Sequence, residues 1–170
     1  RRMDAGPISE HQRSLAVFAA AVLTVCIWFV SSMMGVVGFA GAVAEVGVGR
    51  VCLALAATFA LACTPLAVGF ALSSLGAREE LLNGVGNLLG MLTTFLGGAW
   101  MPLSLMGSAV QTVAHFVPTY WVNDAIGKAL AADLTSTVLG DIACDLGVTV
   151  LFAAAIAAAG LALTRAKSRA

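Results

Sequence analysis

Long stretches of the chain carry no charge, and their lengths predict the elements. Ser14–Ala44 (31 positions), Val51–Ala77 (27), Leu81–Asn123 (43) and Leu146–Thr164 (19) contain no Asp, Glu, Lys or Arg. About 20 helical residues cross ~30 Å of hydrocarbon. The first, second and last runs therefore predict one span each, at 15–41, 51–74 and 142–163. The longest run divides by pattern. Its first part, 82–101, reads as a third span ending before Pro102. Beyond it, Ser104, Ser108, Gln111, Thr112 and His115 recur at helical spacing on one face, with Leu105, Val110, Val113 and Val117 opposite. An amphipathic helix of about 14 residues between Pro102 and Pro118 would reach only ~21 Å, so it predicts a re-entrant or interfacial helix instead of a span. A second short helix is expected over 120–132, where Asp124 and Lys128 stand at i,i+4 in the favourable order for an ion pair. Trp100, Tyr120 and Trp121 have the polar-tipped rings that suit a membrane–water interface. The expected fold is all-α: a polytopic helical membrane bundle of four transmembrane helices, with a broken amphipathic helical hairpin (103–140) before the last span. Residues 1–14 form a cytoplasmic segment of this single transmembrane domain.

Composition supports the membrane reading. Of 170 residues 60% are hydrophobic and 11% charged, with 18 glycines besides, whereas soluble domains carry ~25% charged residues. Nine basic residues balance nine acidic ones, which argues against a nucleic-acid-binding face. The four cysteines are scattered through apolar runs and read as small hydrophobes. Basic residues orient the bundle. Arg1, Arg2, Arg13, Arg78, Arg165, Lys167 and Arg169 fall on one side of the four-span arrangement, and Arg50 and Lys128 on the other. The positive-inside rule puts the first group, and both ends of the chain, in the cytoplasm. A fifth span would destroy that asymmetry. The opening Arg1-Arg2-Met3 is expected to be preceded by further spans.

The chain offers little chemistry of its own. The one Gly-Lys pair, Gly127-Lys128, is followed by Ala129, so the phosphate-cradling loop of nucleotide hydrolases is missing from the sequence. His11 and His115 have no metal-ligand partner at fixed spacing, and no metal site or catalytic residue is expected. Asp141 and Asp145 lie one turn apart at the start of the last span, where they either cap the helix N-terminus or line a translocation path. Gly86 and Gly90 form a small-xxx-small pair suited to close helix packing, within the chain or against a second copy.

From Phe95 to Tyr120 the sequence resembles the region after the fifth span of type-2 ATP-binding-cassette (ABC) exporter permeases. Gly98, Trp100, Pro102 and Leu103, then Gln111, Pro118 and Tyr120, carry the likeness. Gly107 departs from the proline often found there, as does Gly127-Lys128 from an arginine near the end of the hairpin. The resemblance implies the C-terminal four of six spans. It implies that Arg2, Asp4 and Pro7 belong to a coupling segment that touches an ATPase subunit, and that Gly98, Pro102 and Pro118 shape an outer hairpin. In that hairpin Ser108, Gln111, Thr112 and His115 would face the outer exit. The implied function is a permease subunit of an ATP-driven exporter in a bacterial plasma membrane. It would hold no cofactor itself, with ATP and Mg on a partner ATPase, and would pair with a second permease copy or a sister chain. Few fixed charges could grip a polar cargo, so a hydrophobic small molecule such as a drug or antibiotic is the expected substrate. Lipid-linked polysaccharide export and a non-transporting membrane scaffold are the alternatives, and an ion-coupled transporter would need Asp141 or Asp145 to titrate.

Overall fold

The computed structural model describes residues 10–74, 79–131 and 133–169. Among them are seven α-helices and no strand: α1 (Glu10–Gly38), α2 (Ala40–Val46), α3 (Val48–Ser74), α4 (Glu79–Leu96), α5 (Ser108–Ala114), α6 (Pro118–Ala131) and α7 (Ser136–Arg169), with a 3-10 turn at Leu103–Leu105. The chain is an all-α membrane bundle. Three helical segments are long and apolar enough to cross a membrane: Ala19–Gly38, Val48–Ser74 and Ser136–Ala166.

The centre is the junction of α3, α6 and α7. Ala57 of α3, Val122, Ala125 and Ala129 of α6, and Ile142 of α7 are each at most 2% exposed. Three of the five are alanines, which let helix backbones approach where lipid offers no competing solvent force. Further along, a Cβ on Gly160 would lie 2.9 Å from the Ala71 Cα. Only glycine permits α7 to pass α3 that closely. Beyond it the Thr164 hydroxyl donates to Ser74 Oγ at 3.0 Å. At the opposite end Arg50 donates to the Leu130 carbonyl at 3.2 Å and lies 3.7 Å from Asp133. These contacts make α3 and α7 parallel, with α6 antiparallel to both.

Helix α1 leans on α3 through the Trp28 indole, which donates to Thr58 Oγ1 at 3.0 Å and packs edge-on against Phe59. Its other faces present Leu23, Ile27, Phe29, Val30 and Met34 outward, as a lipid-facing helix would. The stretch between the first two expected spans is mostly helical instead of a plain loop. The chain breaks at Phe39, continues as α2, and turns into α3 at Gly47 with φ +96°.

The third expected span is altered most. It ends at Leu96 rather than Met101, because the glycine pair stops the helix before the proline can. The Gly98 N–H donates to the Phe95 carbonyl and the Ala99 N–H to the Thr94 carbonyl, with Gly98 left-handed at φ +80°. That is the hydrogen-bond pattern of a Schellman cap. The end of α4 lies deep. Its Gly97 is in contact with Thr119, and Thr94 and Thr119 line one cavity with Thr64. Thr64 is 14 residues, ~21 Å of helix, past Arg50. From that depth α6 runs back out to Arg50, so α4 and α6 cover successive parts of the length of α3.

Candidate functional site

The hairpin between α4 and α6 is built differently from the single amphipathic helix that spacing suggests. Pro102 opens the 3-10 turn, accepting the Leu105 N–H at 3.0 Å. Gly107 then precedes α5, only seven residues long. The Gln111 amide ties the two pieces together, donating to the Leu103 carbonyl at 3.0 Å and the Met106 carbonyl at 2.9 Å. Gln111 therefore turns inward to satisfy backbone, whereas Ser108, Thr112 and His115 are exposed. The apolar side is also split: Val117 is buried and Val110 half-buried, but Leu105 and Val113 face outward.

At the turn into α6 three rings pack together. His115 lies 4.4 Å from Tyr120 and 5.9 Å from Trp121, centroid to centroid. His115 Nδ1 donates to the Gln111 carbonyl at 2.8 Å, and the Trp121 indole to the His115 carbonyl at 3.0 Å. Pro118, the first residue of α6, is buried, at a position where its missing N–H costs no helical bond. One turn later Asn123 Nδ2 donates to the Gly97 carbonyl at 2.7 Å, joining α6 to the end of α4.

Charge enters on the other side of α6. Lys128 Nζ lies 2.8 Å from Asp124 Oδ2 and 2.7 Å from Asp145 Oδ2. The i,i+4 pair foreseen from the sequence is present, but its stronger anchor is on α7. Asp145 is 4% exposed, so the ammonium is its counter-charge in a poorly hydrated place. Partial burial pulls Lys128 down, yet hydrogen bonds to Asp124 and Asp145 outweigh it and leave the group well above the ordinary 10.5. The capping role open to Asp141 and Asp145 fails on position. Helix α7 starts five residues before Asp141, and Thr135 Oγ1 accepts the Val138 N–H at its start. Asp141 is exposed one turn from Asp145 and is not among the groups that Lys128 holds.

Between α3 and α4, beneath Pro118 and Thr119, is a cavity of about 460 Å³. Gly86 and Gly90 open into it, and a Cβ on either would meet nothing within 4 Å. Their predicted packing role is not exercised against the described part of this chain. Close packing falls instead to Gly97 and Gly160, where a Cβ would clash.

Residues 11–131, α1 through α6, match the ABC-2 type transporter family. The chain belongs to that family. No curated protein and no solved structure matches it. As an ABC-2 type transporter domain it is the membrane-embedded permease part of an ABC transporter, not the ATPase. The match runs from Gly98 through both short helices α5 and α6, taking in Pro102, Gln111, Pro118, Tyr120 and Lys128, and stops before Asp141 and Asp145. Arg2, Asp4 and Pro7 lie outside the described residues. Sequence reasoning missed Asn123, Thr119 and Thr64. Asn123 and Thr119 had a weak signal, as polar side chains beside the predicted turn into α6, whereas Thr64 looked like any hydroxyl in a span.

Proposed function

We propose that this chain is a permease subunit of an ATP-driven exporter that carries a hydrophobic small molecule, such as a drug or antibiotic, out of the cell. The observation that carries the reading is the family match across α1–α6. The broken hairpin seated between α3 and α7 supports it, because it gives the outer half of the bundle a helix that crosses only part of the membrane. A separate ATPase subunit, with its ATP and Mg, supplies the energy, and a second permease copy or sister chain completes the path. Both ends of the chain are cytoplasmic. Arg50 and Lys128, the basic residues assigned to the outer side, sit at one end of the bundle, and Ser74 and Thr164 at the other. Closure of the ATPase would be transmitted through residues 1–14, with Arg2, Asp4 and Pro7 as the contact points.

Co-purification tests this. The full-length protein, tagged in its own host and extracted gently, is expected to bring a stoichiometric ATP-binding-cassette ATPase with it. Finding none, under conditions where a known ABC complex survives, would overturn the reading in favour of a membrane scaffold. Orientation is checked separately with a cysteine at Ser168 in a background lacking the four native cysteines. It is expected to be shielded from an impermeant thiol reagent in intact cells.

A further inference from the structure

One side of helix α4 lines an open cavity against α3. Asn83, Gly86, Gly90, Thr93 and Thr94 recur at three- and four-residue spacing, and all line the cavity that faces α3. Leu81, Leu88, Met91, Leu92 and Phe95 are exposed on the opposite side. Polar positions inside a membrane bundle face its interior or a cavity and mark pathways for what passes through.

The α3 wall adds groups in need of partners. Thr64 is 8% exposed, and its Oγ1 has no hydrogen-bond partner among the described residues. Its neighbour Pro65 has no N–H, so the Leu61 carbonyl one turn earlier loses its helical donor. Leu61, Thr64 and Pro65 all line the cavity. A donor and an acceptor thus stand one turn apart in a mostly apolar wall. None of the described lining residues is charged. At about 460 Å³ the space lies in the range of small-molecule pockets, ~300–1,000 Å³.

We propose that the α3–α4 cavity is the cargo-binding site within a single permease chain. It takes a neutral, largely apolar small molecule bearing a hydroxyl or amide, which donates to the Leu61 carbonyl and accepts from Thr64. Its role as a cargo site rests on the export reading.

The test uses the full-length protein, with whatever ATPase purifies alongside it, in lipid nanodiscs. Dansylamide is titrated as the probe and followed by its fluorescence, beside the N,N-dimethyl sulfonamide analogue that cannot donate. Saturable binding is expected, with dansylamide preferred. Gly90→Leu, which projects a side chain into open cavity, is expected to weaken binding about tenfold or more, equivalent to ~1.4 kcal/mol. Thr64→Val is expected to weaken both probes several-fold and to leave the preference for dansylamide, which reports the Leu61 carbonyl, unchanged, whereas Thr64→Ser retains the full affinity. Absence of saturable binding, or binding indifferent to Gly90→Leu in a folded protein, overturns the site. An ATPase present without probe binding sinks the site and leaves the export reading standing. Probe binding with these dependences but no ATPase upholds the pocket and sinks its role in export.

Discussion

Helix α3 meets its neighbours in opposite ways. Against α6 and α7 it closes tightly over alanines and a glycine at 160, and an ion cluster around the buried Asp145 ties α6 to α7. Against α4 it stands off, and the space between is lined by threonines, glycines and an asparagine. The two regions use similar small residues for different ends. Where a neighbour's backbone comes close, smallness permits contact. Where none does, smallness leaves room. The tight side anchors α6, and the open side keeps an unfilled volume of about 460 Å³.

The largest expected effect breaks the tight side. Lys128→Met leaves the Asp145 carboxylate buried without its counter-charge, and loss of one partner of a buried pair costs about 3–5 kcal/mol. Thermal unfolding of the purified protein in detergent is expected to show it, and adding Asp145→Leu to recover most of the loss. A single variant as stable as the parent would mean that the cluster does not hold α6 to α7.

Gly160→Leu comes next, since its Cβ meets the Ala71 backbone at 2.9 Å and overpacking costs about 1–3 kcal/mol. Gly98→Ala is expected to lose about 1–2 kcal/mol, because an L-residue resists the left-handed conformation and Leu103 Cγ lies 2.9 Å from the new Cβ. On the open side the sign reverses. Gly90→Ala has free space and gains helix propensity, so the same assay is expected to show stability unchanged or raised by up to about 1 kcal/mol. A loss at Gly90 matching that at Gly160 would erase the distinction between the two regions.

The smallest effect is one of pH. The folded Lys128 value lies above the ordinary 10.5. Its contribution is therefore complete below that value and is lost only as pH rises past it. The stability difference between the parent and the Lys128→Met/Asp145→Leu double variant, which leaves no unpaired buried carboxylate to titrate, is expected to stay level from about pH 7 to about pH 9; a steady decline across that interval would show that the ammonium is not held.

Much of this was legible in the chain itself. Charge-free runs located α1, α3 and α7 because a helix in lipid has to be apolar for about 20 residues. Pro118 placed the start of α6 within two residues. The first hairpin helix is not legible from spacing, because Gln111 falls on a polar face while its amide is spent on two carbonyls of the preceding turn. The end of α4 lies five residues before the expected 101 for a similar reason. Pro102 was the louder signal, but Gly97 and Gly98 supply the cap.

By itself, then, the sequence determined what depends on near neighbours: the helical segments, the proline and glycine breaks, and the Asp124–Lys128 pair. Helical spacing brings residues four apart together in any surroundings. Only the tertiary structure decided which distant groups meet. It gave Lys128 a second carboxylate 17 positions away, put Gly160 rather than Gly90 against a backbone, and turned the weakly polar side of α4 onto a cavity. Periodicity gives α4 two faces; the helix packed beside it decides which one looks inward.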